Sequence, residues 1–117
     1  MRTMAALAVL ATTSCSFQPA PASAPASTPE GAQARKLIGQ GARLLDVRTP
    51  SEFAGGHIEG ALNIPVDSLE GRLAELEPKD KPVVVYCLSG HRSKGAAQVL
   101  RTAGFTQVLD LGSIRNW

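Results

Sequence analysis

The sequence predicts a single α/β domain built on an open, mostly parallel sheet flanked by helices on both faces. Three observations carry that prediction. Strand-like and helix-like runs alternate from residue 29 to residue 117, the pattern of a parallel sheet joined by right-handed crossovers. The run Val83-Val84-Val85-Tyr86 is uninterrupted and β-branched or aromatic, as in a strand buried on both faces. Finally, 117 residues with 44% hydrophobic content leave room for one core and not two.

Residues 1–15 read as an export leader: Arg2, the short apolar run AALAVLA, and small polar residues ending at Cys15. Cys15 stands where a bacterial lipoprotein carries its modified cysteine, behind the small Ser14, although Thr12 occupies the position usually held by leucine. Lipidation at Cys15 is one expectation, giving a membrane tether. Ordinary leader cleavage near Ala22 to Ala24 is the second, and a cytosolic extension the third. Residues 16–28, rich in proline, alanine and serine, form a linker. The expected location is therefore exported, periplasmic or lipid-anchored to the cell envelope, with the cytoplasm as the alternative.

The domain proper spans 29–117. Thr28, Pro29 and Glu30 open a helix with a cap, a proline in the first turn and an early acid, and Gly39 closes it. Arg43 to Val47 is the first strand. Thr49-Pro50-Ser51-Glu52 has the form of a capping box around a proline, starting a short helix that Gly55 and Gly56 stop. Ile58 to Ile64 returns as a turn and short strand. Asp67 and Glu70 are then expected to cap a helix in which Leu69, Leu73 and Leu76 recur at helical spacing before Pro78. After the central strand, Ser93 to Ala103 reads as a helix with Ala96, Ala97, Val99 and Leu100 on its apolar face, and Val108 to Leu111 as a last strand.

Function is written in VVVYCLSGHRS, residues 83–93. An apolar strand delivers Cys87 into a short loop that opens a basic helix, and ligands of such sheets bind beyond the carboxyl ends of the strands. Loop amides, the helix dipole and Arg92 all favour an anion there, and such settings lower a cysteine pKa from about 8.5 to roughly 3.5–7.5. Cys87 is thus expected to be an accessible thiolate nucleophile, its charge held by the loop from Leu88 through Ser89, Gly90, His91 and Arg92 to Ser93. Arg92 is expected to attract an anionic donor, Ser93 to cap the helix with its hydroxyl turned to the loop, and His91 to be a permissive loop residue. An attack by an already ionised thiol needs no general base, so His57, in GGHIEGA, is read as fixing its turn. With Cys15 in the leader, Cys87 stands alone, which excludes a disulfide scaffold and a two-cysteine metal site; no metal or cofactor is expected. A net charge of +2 without a basic cluster among aromatics argues against nucleic acid as partner.

Four blocks resemble the rhodanese, or sulfurtransferase, domain family: LLDVRTPSEFAGGHIEGALNIP at 44–65, VVVYCLSGHRS at 83–93, AGF at 103–105 and VLDLGSIRNW at 108–117. The resemblance implies an α/β fold in which Cys87 takes sulfur from thiosulfate as a persulfide, releases sulfite, and passes the sulfur to cyanide or another thiophilic acceptor. The partners would then be a small anionic sulfur donor and that acceptor. The family's loop form maps onto Cys87, Gly90, Arg92 and Ser93. Its aspartate and arginine at the end of the first strand correspond to Asp46 and Arg48: Asp46 would be structural, and Arg48 would pair with a carboxylate or reach the donor. Related folds with phosphatase or arsenate-reductase activity place five residues between cysteine and arginine. Here only Leu88, Ser89, Gly90 and His91 intervene, a ring suited to a sulfur atom. Two other readings stay open: a non-catalytic binding or regulatory module on the same fold, and arsenate or phosphate chemistry. One departure is Ser113, where the family usually has glycine; a left-handed backbone there would strain serine by roughly 1 kcal/mol. Trp117 is read as core packing.

Overall fold

The computed structural model describes residues 28–117. Cys15 and the leader, and the linker as far as residue 27, lie outside the described residues. Four strands form one sheet in the order β2-β1-β3-β4, every neighbouring pair parallel: β1 is Arg43–Asp46, β2 Leu62–Asn63, β3 Val83–Cys87 and β4 Val108–Ser113. The expected α/β architecture is the observed one. β3 is buried at all five positions, and its side chains alternate between two cores, as a period of two requires. Val83, Val85 and Cys87 join Leu45, Val47, Ile64, Leu100 and Phe105 on one face. Val84 and Tyr86 join Ala34, Leu44, Ile58 and Leu111 on the other.

Helices cover both faces. Helix α1, Pro29–Gly39, has Thr28 as its cap, with the Thr28 hydroxyl accepting from the Gly31 amide at 3.0 Å. The same hydroxyl donates to the Asn116 carbonyl at 3.1 Å, and Arg35 donates to the Trp117 carbonyl at 2.9 Å, so α1 is stitched to the last residues of the chain. Gly31 lies against the Asn116 carbonyl with no room for a side chain. Trp117 packs, half-buried, on this second core. Helix α2, Pro50–Ala54, carries the complete capping box between Thr49 and Glu52. Helix α3, His91–Thr102, covers the first core through Ala96, Ala97 and Leu100.

Several boundaries differ from the sequence expectation, each for a physical reason. Val66–Leu76 is a 3-10 segment and not a capped α-helix: Pro65 stands at the cap position without a side-chain bond, and the backbone leaves helical values at Arg72. The break falls beside Gly71, a poor helix former. Leu69 and Leu76 are still buried, and Leu73 packs against them. β4 extends two residues beyond Leu111 because a bulge shifts its register against β3: Val85 pairs with Asp110 but Tyr86 with Gly112, leaving Leu111 as the extra residue. This sets Ser113 beside Cys87. Ser113 is itself extended, with φ −72° and ψ 141°; the left-handed residue is Gly112, at φ +80°. The strain expected at Ser113 is therefore absent.

Candidate active site

β3 ends at Cys87 and α3 starts at His91, so only Leu88, Ser89 and Gly90 form the connection. Gly90 makes that turn possible. It caps α3 with φ +95°, a conformation that costs a side-chain-bearing residue about 1 kcal/mol or more. In that conformation its amide donates to the Cys87 sulfur at 2.9 Å. Helix α3 begins two residues earlier than its sequence suggests, and Ser93 sits inside its first turn rather than at its cap. The first amides of a helix have no partner within it, and the Ser93 amide is among the groups that favour the Cys87 anion.

Burial alone pushes the Cys87 thiol up. The Ser93 hydroxyl and the amides of Ser93, Gly90 and Ser89 outweigh it, and the thiol is held below its ordinary value. Hydrogen bonds to the charged form are one of the few ways to lower a buried acid's pKa, and here most come from the backbone. Cys87 itself is 0% exposed, which corrects the expectation of an accessible sulfur. The cradle closes tightly enough round the bare atom to exclude water, while Leu88, Ser89 and His91 lie exposed above it.

A second layer of bonds aims the cradle. The Ser93 hydroxyl, fully buried, donates to the Gly90 carbonyl at 3.1 Å. The Ser113 hydroxyl donates to the Leu88 carbonyl at 2.7 Å. Holding the Leu88 carbonyl on Ser113 orients the Ser89 amide of the same planar peptide, one of the amides that favour the Cys87 anion. Ser113 was visible in the sequence only as a misfit; its contact with Leu88 depends on the bulge in β4.

Arg92 projects from the first turn of α3 and is held by Glu52 of α2, with nitrogen–oxygen distances of 2.7 and 2.9 Å in a two-pronged pair. Arg92 is raised above its ordinary value, first by the bond to Glu52 and in lesser degree by the Cys87 charge. Glu52 is drawn down to about 2, chiefly by Arg92 and then by the Thr49 amide. Nothing local in the sequence announces this partner. Glu52 reads there as a capping residue, which it also is.

Asp46 and Arg48 stand differently from a donor-binding pair. Arg48 is 5% exposed. Its guanidinium donates to both Asp46 oxygens, at 2.7–3.1 Å, and to the Gly56 carbonyl at 2.7 Å. Asp46 also accepts from the Arg48 amide at 2.9 Å. Burying an ion pair is tolerable when its polar atoms are satisfied, and this one ties the end of β1 to the end of α2. Arg48 therefore holds the scaffold, the carboxylate-pairing role of the two expected of it. Asn63 adds to this corner by donating to the Asp46 and Arg48 carbonyls at 3.1 and 3.0 Å. His57 bonds the Phe53 carbonyl at 2.8 Å through Nδ1 and stacks on the Phe53 ring, centroids 3.6 Å apart. It lies at the exposed end of α2, where it holds the turn. His91 is exposed at the first position of α3.

Comparison with known proteins follows the same lines. The family model for the rhodanese-like domain matches residues 30–117. The uncharacterized protein YqhL of Bacillus subtilis is 49% identical over 77 residues, which are 65% of this chain and 60% of YqhL. The chain thus aligns with somewhat under two thirds of that relative's length. Thiosulfate sulfurtransferase PspE of Escherichia coli is 36% identical over 73 residues, covering 62% of this chain and 70% of PspE. Among solved structures, the human single-domain sulfurtransferase TSTD1 superposes with a TM-score of 0.64 at 33% identity, over 74% of this chain and 87% of that one.

Proposed function

The chain belongs to the rhodanese-like domain family, and from that premise we propose that it is a sulfurtransferase moving sulfane sulfur from thiosulfate, or a similar donor, to cyanide or another thiophilic acceptor. The observation that carries this reading is the Cys87 sulfur at the centre of converging donors, with the Gly90 amide at 2.9 Å and a lowered pKa. Relatives named as thiosulfate sulfurtransferases support it.

In the first step the Cys87 thiolate attacks the outer sulfur of thiosulfate. The sulfur–sulfur bond of the donor breaks, sulfite leaves with the electron pair, and Cys87 becomes a persulfide. In the second, the acceptor attacks the terminal sulfur and the Cys87 thiolate leaves, giving thiocyanate when the acceptor is cyanide. The cradle serves both steps. A thiolate of lowered pKa is present in quantity at neutral pH and is a good leaving group, although it is somewhat less nucleophilic per molecule. The terminal sulfur of the persulfide stands about 2 Å beyond Sγ. Preorganised amides make the anionic state inexpensive without further rearrangement.

The test is direct. Pure protein incubated with thiosulfate should gain the mass of one sulfur on Cys87 and release thiocyanate when cyanide is added; Cys87→Ser should show neither. Persistence of both in the serine variant rules out the assignment. Export, with lipid on Cys15, is proposed on the leader-like sequence alone, and the intact mass of protein from its host would reveal cleavage and lipid together.

A further inference from the structure

Arg92 is the cation nearest in sequence to the anion cradle, yet it is not free. Both prongs of its guanidinium are taken by Glu52, forty residues earlier, at 2.7 and 2.9 Å. The two side chains are 31% and 28% exposed, so solvent screens the pair only in part. A carboxylate bound this way fixes Arg92 in place and cancels its charge as seen from a distance. We propose that Glu52 is a specificity-determining residue, whose carboxylate on Arg92 sets how strongly the Cys87 mouth favours dianionic over neutral sulfur donors. This inference rests on the sulfurtransferase reading for its physiological meaning, but not for its physics.

Glu52 also closes the capping box of α2. Its amide donates to the Thr49 hydroxyl at 3.2 Å, and its Oε1 accepts from the Thr49 amide at 3.2 Å. A glutamine serves that box as well as a glutamate does, and its amide oxygen still accepts from a guanidinium. With the amide oxygen in the place of Oε1, Glu52→Gln keeps the cap and the Arg92 Nη1 bond, gives up the second prong at Oε2, and removes one negative charge. Thr49→Ala does the reverse: it removes the hydroxyl that accepts from the Glu52 amide and donates to Oε1 at 3.1 Å, and leaves the carboxylate charge beside Arg92.

The experiment compares alkylation of Cys87 in the full chain by iodoacetate, an anion, and by iodoacetamide, its neutral analogue. Modification is read on the Cys87 peptide by mass spectrometry, which separates it from Cys15. Both reagents attack the same thiolate, so their rate ratio cancels changes in ionisation, access or loop damage and reports only charge at the mouth. Glu52→Gln should raise the iodoacetate-to-iodoacetamide ratio by about two-fold or more, the effect that one unit charge has even at roughly 10 Å in watery surroundings. The gain should shrink at high salt. Arg92→Ala should lower the ratio. Thr49→Ala should match the wild type. A ratio unchanged or lowered in Glu52→Gln overturns the proposal. Because alkylation needs no sulfur transfer, absence of thiocyanate would defeat the assigned activity while leaving this test intact. Where the activity holds, the same variant should lower the KM for thiosulfate with kcat little changed.

Discussion

Replacing Ser93 by alanine removes a single proton donor from beneath the Cys87 sulfur and touches little else. Alanine is the best helix former and fits the first turn of α3. The Gly90 carbonyl, which loses the Ser93 hydroxyl at 3.1 Å, keeps the Lys94 amide at 3.3 Å, so no buried acceptor is orphaned. The hydroxyl has one proton and three claimants, the Gly90 carbonyl, the Gly112 carbonyl at a long 3.5 Å, and the sulfur. With the thiol protonated it serves the Gly90 carbonyl; with the thiol ionised the sulfur is the stronger acceptor, since bonds to charged groups are roughly twice as strong. A bond to a charged group contributes about 1.5–3 kcal/mol, which corresponds to a roughly ten- to hundred-fold fall in the acid dissociation constant of the thiol in Ser93→Ala. The assay is the rate of iodoacetamide attack on Cys87 against pH. The wild-type midpoint should lie below the ordinary 9.0, and that of Ser93→Ala should lie above the wild type's. The sign carries over to stability. A depressed acid favours the fold in its ionised form, so its contribution grows as pH rises through the folded value and is complete above the unfolded one. Ser93→Ala should therefore cost least in acid, about 1 kcal/mol for the lost neutral bond, and more as pH rises. Coincident midpoints for the two proteins would refute the reasoning.

Two further expectations concern the frame. Tyr86→Phe removes the buried hydroxyl that accepts from the Ile58 amide at 3.1 Å; the stranded amide should cost about 1–3 kcal/mol in denaturant unfolding, and a loss below 0.5 kcal/mol would show that Ile58 finds another partner. The same tyrosine, pushed up to about 12 first by burial, should show no phenolate absorbance at pH 10 while the protein is folded. Gly31→Ala drives a methyl group into the Asn116 carbonyl, so α1 must lift from the chain end. Overpacking of this kind costs about 1–3 kcal/mol, and the fall in Tm should come with quenching changes at Trp117, whose carbonyl Arg35 of α1 holds at 2.9 Å.

Local rules reached far into this chain. A strand and its burial were legible in Val83 to Tyr86 because a two-residue alternation and β-branching act within one element, and both caps of Thr28 and Thr49 were legible because a cap spans three residues. Cys87 was legible for the same reason: strand, tight glycine and helix start occupy seven consecutive positions. Where local signals were weak they misled. Leucine spacing suggested an α-helix over 66–76 that Pro65 and Gly71 do not support, and Ser93 looked like a cap because the left-handed turn at Gly90 leaves no side-chain signature.

The sequence by itself therefore determined the alternation of elements, the two-sided core and the cysteine at the strand end, since each depends on neighbours within a turn or a strand. Tertiary structure alone decided how that cysteine is surrounded. The bulge that sets Ser113 against Leu88, the β1 corner that consumes Arg48, and the Glu52 carboxylate that meets Arg92 join residues separated by 25, 8 and 40 positions. Such pairings arise from strand register and helix placement, which follow from packing the whole core at once and leave no mark in any short stretch of chain.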